Sequence, residues 1–212
     1  MKKTVFLFEH GVSNLPSRWR EWCNLAIAHV HQKKWKSYHC AQTLFYITTP
    51  LTVWIKDKKR FSAFSKMLLG YVNKNFRIIC AGHSNGARII LEGLKKAKWP
   101  RVEEIHLLCG ACNADFDENG LNQALERNKV GKVIVYVATK DNAMLLEDSF
   151  FGKLLFGITG HKQPLGLHGI INAKQKFINN GRIKVIKFEG FGHSTCWLKK
   201  NFTNTMKLII ND

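Results

Sequence analysis

Apolar positions follow two patterns that alternate along most of the chain. Short runs of β-branched and aromatic residues predict buried strands, whereas apolar residues three or four positions apart predict amphipathic helices. Strands are predicted at residues 4–8, 43–48, 76–81, 102–109, 133–138 and 183–188. Helices are predicted from residue 16 onward and at residues 61–72, 87–97, 118–125 and 197–210.

This alternation predicts an α/β fold with a mostly parallel sheet of about six strands and helices on both faces. A length of 212 residues fits one domain that spans residues 1–212. Residues 142–181 depart from the pattern, because bulky apolar residues there are mixed with glycines. They form either a cap or lid over a substrate, or a crossover helix packed on the sheet and followed by a surface loop.

The most informative stretch is Gly-His-Ser-Asn-Gly at residues 82–86, between a predicted strand and a predicted helix. A Gly-x-Ser-x-Gly sequence in this setting is typical of a nucleophile elbow, in which a strained turn exposes the serine hydroxyl. We expect that Gly82 and Gly86 are glycines because a Cβ at either position would clash with neighbouring backbone. An ordinary turn with a capping serine is the alternative. The context favours Ser84 as a nucleophile.

A serine hydroxyl needs a base to accept its proton and an acid to orient that base. His193 is the candidate base, because it lies in a glycine-rich loop after the last predicted strand. The candidate acids are Asp141 and Asp115, each of which follows a predicted strand. We favour Asp141, because it follows the strand at 133–138, which is the nearest in sequence to the strand that precedes His193. In that case, Asp115 caps the helix predicted at 118–125.

Acyl transfer also requires amide donors for the oxyanion of the tetrahedral intermediate. The backbone N–H of Asn85, directly after Ser84, is one candidate donor. The other is the backbone N–H of Val12, in the loop after the first predicted strand. A direct contact between the Asn85 side chain and substrate is a weaker expectation.

These motifs, in this order, resemble the α/β-hydrolase superfamily. The resemblance rests on His-Gly-Val at 10–12, the turn at 82–86, Asp141 and Gly192-His193, and it spans nearly the whole chain. Residues 82–88 also resemble the Gly-His-Ser-x-Gly-Ala-Arg variant of one serine-hydrolase group. The resemblance implies an acyl-enzyme mechanism on an ester, thioester or amide, without a cofactor. The chain departs from the superfamily in size, because the first two of its eight strands have no counterpart here.

The net charge of +18 also departs from what the superfamily implies. Lysine and arginine are spread along the whole chain rather than gathered in one tail. Such a surface favours polyanions, namely anionic lipid membranes, acidic polymers and, less favoured here, nucleic acid. A solvated basic surface without a dedicated partner is the alternative.

The six cysteines do not form a recognisable disulfide framework. Cys80 and Cys109 lie in apolar runs typical of buried thiols. Cys109 and Cys112 have CxxC spacing but no second pair, so no metal site is expected, and the histidines near Cys40 are expected at the surface. The apolar run at 5–8 is too short for a signal peptide, and no run suits a membrane span. These features predict a reducing, cytoplasmic location.

Together the motifs predict an esterase or lipase-like serine hydrolase that acts on a small-molecule or lipid ester. Ser84, His193 and Asp141 are its predicted triad, and neither a cofactor nor a metal is expected. Thioesterase and peptidase activity remain open with the same residues. The competing hypothesis is a non-catalytic, basic binding protein on a hydrolase scaffold.

Overall fold

The computed structural model describes residues 3–11, 28, 30–31, 36–39, 50–142, 163–193 and 195–211. Within them, six strands form one sheet in which every neighbouring pair is parallel. The strands are β1 (Thr4–Glu9), β2 (Lys36–His39), β3 (Arg77–His83), β4 (Val102–Leu108), β5 (Val130–Ala138) and β6 (Ile183–Phe188). The spatial order β2-β1-β3-β4-β5-β6 reverses direction between β1 and β3. Ligands of open parallel sheets bind outside the carboxyl ends of the strands at such a reversal.

Successive side chains of each strand point to opposite faces of the sheet, and apolar clusters cover both faces of its central strands. Val5 and Leu7 belong to one apolar cluster, whereas Phe6 and Phe8 belong to the other. The helices are α1 (Pro50–Asn73), α2 (Asn85–Lys96), α3 (Leu121–Glu126), α4 (Leu165–His168), α5 (Gln175–Asn179) and α6 (Lys199–Asn211). Helices α1 to α5 place apolar side chains in the first cluster, and α6 does so in the second. The predicted α/β architecture is confirmed.

Five predicted strands coincide with β1, β3, β4, β5 and β6 to within three residues at either end. The strand predicted at 43–48 lies outside the described residues. Strand β2 was not predicted, because its sequence Lys-Ser-Tyr-His shows no apolar alternation. It pairs only with β1 in the described sheet and lies at the edge, where polar sequences are common.

Helix α1 begins at Pro50, well before the predicted start at residue 61. Proline is favoured in the first helical turn, and the charged residues 56–60 conceal the helical period. The helix predicted at 118–125 begins later, at Leu121, after a turn at 116–120. The helix predicted from residue 16 falls mostly outside the described residues. Every helix in the described part of the chain falls short, in length or apolar content, of a bilayer-spanning segment.

The described end of the 142–181 segment packs against the sheet. Leu165 of α4 and Phe177 of α5 are buried in the first apolar cluster. Isolated bridges join Asn113 to Pro164 and Asp115 to Ile171. Residues 143–162 lie outside the described part, so the cap or lid stays a prediction.

Candidate active site

Ser84 is the single residue between the end of β3 at His83 and the start of α2 at Asn85. Its backbone has φ 54° and ψ −125°. Residues other than glycine rarely adopt this backbone conformation, which costs about 1–3 kcal/mol. The Ser84 N–H donates to the Leu108 carbonyl at 2.9 Å, and the Ser84 carbonyl accepts from Ala111 N–H at 3.0 Å. Strand β4 and the loop after it therefore hold the turn in its strained form.

Close backbone contacts explain the glycines around Ser84. A Cβ on Gly82 would lie 2.6 Å from the Ala87 nitrogen, and one on Gly86 would overlap the Glu9 carbonyl oxygen. The predicted steric reason for both glycines is confirmed. Gly11 shows the same constraint, since its Cβ would lie 2.6 Å from the Ser84 Cβ. The loop after β1 thus lies directly against Ser84.

Asp141 and His193 come together although 52 residues separate them. The Asp141 carboxylate is fully buried and lies just after β5. His193 Nδ1 lies 2.8 Å from Asp141 Oδ2. Because an ionised carboxylate only accepts hydrogen bonds, Nδ1 carries the proton and Nε2 keeps its lone pair. This arrangement suits a histidine that must accept a proton through Nε2.

His193 lies beside the turn that carries Ser84. Its ring centroid is 4.9 Å from that of His83, and its carbonyl oxygen is 2.9 Å from His83 Nε2. Within the described residues, no hydrogen bond joins the Ser84 hydroxyl to the His193 ring. Such bonds are often long in unliganded enzymes and tighten when substrate binds.

Asp115, the alternative acid, has a different environment. Its Oδ1 accepts the N–H groups of Asp117 and Glu118 at 2.8 and 3.0 Å. Its Oδ2 accepts the Asn172 side-chain amide at 2.7 Å. Among the described residues, the His193 ring hydrogen-bonds with Asp141 and not with Asp115. Asp115 therefore caps the turn before α3, rather than the helix itself as expected, because α3 starts only at Leu121.

The predicted oxyanion donors are only partly described. Asn85 is the first residue of α2, where backbone N–H groups lack helical acceptors. Its side chain is buried and donates to both oxygens of Asp57, at 3.0 and 3.1 Å. Both hydrogen bonds use the side-chain nitrogen, so the contact between the Asn85 side chain and substrate stays a prediction. Val12 lies outside the described residues.

Comparison with protein-family models gives no match, and comparison with curated protein sequences gives none. Solved structures do match. An uncharacterized protein from Bacillus cereus ATCC 10987 is 16% identical, with TM-score 0.59; the match covers 100% of this chain, which spans 60% of that protein's length. A predicted CIB-like hydrolase from Thermoplasma acidophilum is 14% identical, with TM-score 0.54 over 100% of this chain and 88% of the other. An esterase from Pyrobaculum calidifontis is 10% identical, with TM-score 0.52; the match covers 98% of this chain and 75% of the esterase. The chain has the α/β-hydrolase fold.

In this α/β-hydrolase fold, two buried residues of α1 support the loops around Ser84. Arg60 Nη2 donates to Glu9 Oε2 at 2.9 Å and to the His10 carbonyl at 3.0 Å. Asp57, one turn earlier, binds Asn85 and accepts from Arg88 at 3.4 Å. Burial raises the pKa of Asp57, although Arg88 opposes this shift. Sequence reasoning missed both residues, because they lie in a run dominated by lysines. The available signal was their spacing of three positions, which places both on one face of a helix.

A second missed feature is a buried cluster of His83, Cys109 and Cys196. Their ligand atoms lie within 4.8 Å of one another. Cys109 therefore neighbours Cys196, rather than acting with Cys112 as the CxxC spacing would suggest. The Cys196 hydrogen bond and burial raise the pKa of the Cys109 thiol. Both cysteines are free, and burial of Cys80 and Cys109 as small apolar side chains is confirmed.

Proposed function

We propose that this chain is a serine hydrolase that cleaves an ester through an acyl-enzyme intermediate. The observation that carries the proposal is the strained Ser84 turn beside a histidine that is hydrogen-bonded to a buried carboxylate. In this proposal Ser84 is the nucleophile, His193 the general base and Asp141 the residue that orients His193. The fold that the chain shares with the Pyrobaculum calidifontis esterase supports this chemistry.

The proposed reaction has two halves. The Ser84 oxygen attacks the acyl carbon while His193 Nε2 accepts the hydroxyl proton. The tetrahedral intermediate collapses, and the same proton passes to the leaving alcohol, which gives the acyl-enzyme. Water then attacks the acyl carbon with His193 again as base, and the acid product leaves with Ser84 restored.

The oxyanion would be stabilised by backbone amides close to Ser84. The Asn85 N–H at the start of α2 adds the positive end of the helix dipole to its hydrogen bond. We assign the second donor to Val12 because the preceding residue, Gly11, packs directly on Ser84. Removal of one such donor reduces kcat by about 10²–10³-fold in a serine protease.

Labelling with a fluorophosphonate tests the nucleophile directly. Folded wild-type protein should become labelled at Ser84, and Ser84→Ala should not. Ser62→Ala is a matched control, because Ser62 lies on α1, where its hydroxyl donates to the Lys58 carbonyl. Absence of labelling in folded wild-type protein, or equal labelling of Ser84→Ala, would refute the proposal.

The same machinery would serve a thioesterase or a peptidase. Aryl esters of graded acyl length, matched thioesters and a peptide anilide separate these activities when each is assayed beside Ser84→Ala. We expect the largest Ser84-dependent kcat/KM with an ester. A larger value for the thioester or the anilide would reassign the bond that is cleaved.

A basic groove between α1 and α2 favours a second candidate function, the holding of an anionic polymer. The groove has a volume of about 900 Å³. Its lining includes five lysines and one acidic residue, Glu92, which pairs with Lys95 at 2.9 Å; the lysines are Lys58, Lys59, Lys66, Lys95 and Lys96. An excess of ammonium groups attracts phosphate or carboxylate chains, and this attraction weakens steeply with salt.

This second function can be measured apart from catalysis. Binding of a single-stranded oligonucleotide and of phosphatidylglycerol vesicles should weaken by an order of magnitude or more when NaCl rises from about 50 to about 200 mM. The double variant Lys59→Gln/Lys96→Gln should weaken binding, whereas Lys187→Gln on β6 should not. Equal effects of both variants would place the binding on the general surface charge. Ser84-dependent ester hydrolysis without salt-sensitive binding would refute this second function and retain only the hydrolase proposal.

A further inference from the structure

We infer that His83 is a positioning residue for His193, because its ring Nε2–H donates to the His193 backbone carbonyl and so fixes the distance between base and nucleophile. This inference rests on the proposed hydrolase function. The two atoms lie 2.9 Å apart and bridge 110 residues of sequence. His83 directly precedes Ser84, so one residue connects the nucleophile turn to the loop of the base.

The Asp141 hydrogen bond holds only the ring of His193, whereas the His83 hydrogen bond holds its backbone carbonyl. The preceding residues are held as well, because Gly190 N–H donates to Thr139 Oγ1 at 2.8 Å and Gly192 N–H donates to Thr195 Oγ1 at 2.9 Å. Lys140 N–H binds the Phe191 carbonyl at 2.9 Å, which anchors the loop on the β5 side. The His83 bond anchors it on the β3 side. The His193 ring is thereby held between strands β3 and β5.

The direction of the hydrogen bond follows from its partners. A backbone carbonyl only accepts, so His83 Nε2 must carry a proton. Burial and the nearby His193 lower the pKa of His83 to about 3, so its ring is neutral at physiological pH. A charged His83 would oppose the positive charge that His193 gains in the reaction. A neutral donor at this position supports the His193 loop without that penalty.

The surroundings of His83 fit this role. It is 6% exposed, and its titratable neighbours include His193 and the thiols of Cys109 and Cys196. Both cysteines are buried, so the His83 ring lies on the buried side of the hydrogen bond. The His83 end of the hydrogen bond is buried and its His193 end is partly exposed, so loss of the donor would free the His193 carbonyl and displace the loop.

Two substitutions separate the donor from the ring. His83→Gln keeps an N–H donor at a similar reach, whereas His83→Phe keeps a ring of similar size without a donor. His83→Phe should lower kcat for an activated ester by about 100-fold, the effect of a displacement near 1 Å, with KM nearly unchanged. His83→Gln should restore kcat to within about threefold of wild type. Equal losses in both variants, or none in His83→Phe, would overturn the inference.

A readout independent of activity separates this inference from the proposed function. Amide hydrogen exchange at residues 190–193 should accelerate about tenfold or more in His83→Phe, and remain near wild type in His83→Gln. Nitrogen-15 spectra of wild-type protein should show the His83 proton on Nε2. A proton on Nδ1, or unchanged exchange in His83→Phe, would overturn the positioning role. Absence of Ser84 labelling with these signals intact would instead refute only the hydrolase.

Discussion

The side-chain amide of Asn85 donates to both carboxylate oxygens of Asp57, at 3.0 and 3.1 Å. Asn85 is the first residue of α2 and directly follows Ser84, whereas Asp57 lies on α1. Arg88, one turn along α2, donates to the same carboxylate at 3.4 Å. A single buried carboxylate on α1 therefore holds the beginning of α2.

Asp57→Ala should strongly destabilise the fold. The substitution leaves the Arg88 guanidinium half-buried without its anion and leaves the Asn85 amide without its acceptors. Breaking a buried pair from one side costs about 3–5 kcal/mol, which urea denaturation monitored by circular dichroism would measure. Glu92→Ala is the matched control, because it breaks the more exposed ion pair between Glu92 and Lys95 on α2, whose atoms lie 2.9 Å apart. This substitution should lower the free energy of unfolding by less than about 1 kcal/mol. Similar losses in both variants would contradict a structural role for Asp57.

Gly86→Ala should disrupt the site even though alanine favours helices. The added methyl group would overlap the Glu9 carbonyl oxygen and lie 2.8 Å from the His10 carbonyl oxygen. Strand β1 and the loop after it must then move away from Ser84, so we expect lower stability and loss of Ser84 labelling. Gly70→Ala on α1 is the control, because nothing lies within 4 Å of its new Cβ. It should stabilise the protein by up to about 1 kcal/mol. A stable, fully labelled Gly86→Ala variant would contradict the close contact.

The buried His83 should make stability depend on pH. Its pKa is lowered to about 3 in the folded protein by burial and the nearby His193, against the ordinary histidine value of 6.5 that we assign to the unfolded chain. Between these values the unfolded chain binds the additional proton, so stability falls as the pH falls below about 6.5. From pH 7.5 to pH 5, wild type should lose about 2 kcal/mol more than His83→Gln. Parallel pH profiles for the two proteins would show that His83 protonates equally well in the fold.

The sheet and the strand-end positions of Ser84, Asp141 and His193 were predictable because local sequence marks them. β1, most of β3 and the last part of β5 are apolar runs that are buried, and β4 becomes apolar at its end. Ser84 lies between two glycines at a strand-to-helix boundary, and His193 follows a glycine-rich loop after a strand. Each of these signals lies within a few residues, which is the range over which steric and hydrophobic patterns act.

The supporting contacts were not predictable, because they join residues that are distant in sequence. Asp57 and Asn85 are 28 residues apart, and His83 and His193 are 110 apart. Asp57 lies among lysines that indicate a solvated surface, and only the packing of α1 on α2 shows that it is buried. Strand β2 was missed for a related reason: an edge strand can be polar, so its sequence does not mark it.

The choice between the two candidate acids yields the last prediction. Asp141→Asn replaces a carboxylate that only accepts with an amide that also donates. His193 Nδ1 can then become the acceptor, which moves its proton to Nε2 and prevents that atom from taking the Ser84 proton. The matching change in a serine protease lowers kcat about 10⁴-fold, and we expect a loss of that order here.

Asp115→Asn is the matched control for this experiment. Its oxygens hold the turn before α3 and the Asn172 side chain, so the substitution should lower stability while kcat stays within about threefold of wild type. Initial rates with an activated ester, together with melting curves, distinguish the two effects. A large loss of kcat in Asp115→Asn with near-normal activity in Asp141→Asn would make Asp115 the acid. It would also require the His193 loop to leave the position in which Asp141 and His83 now hold it.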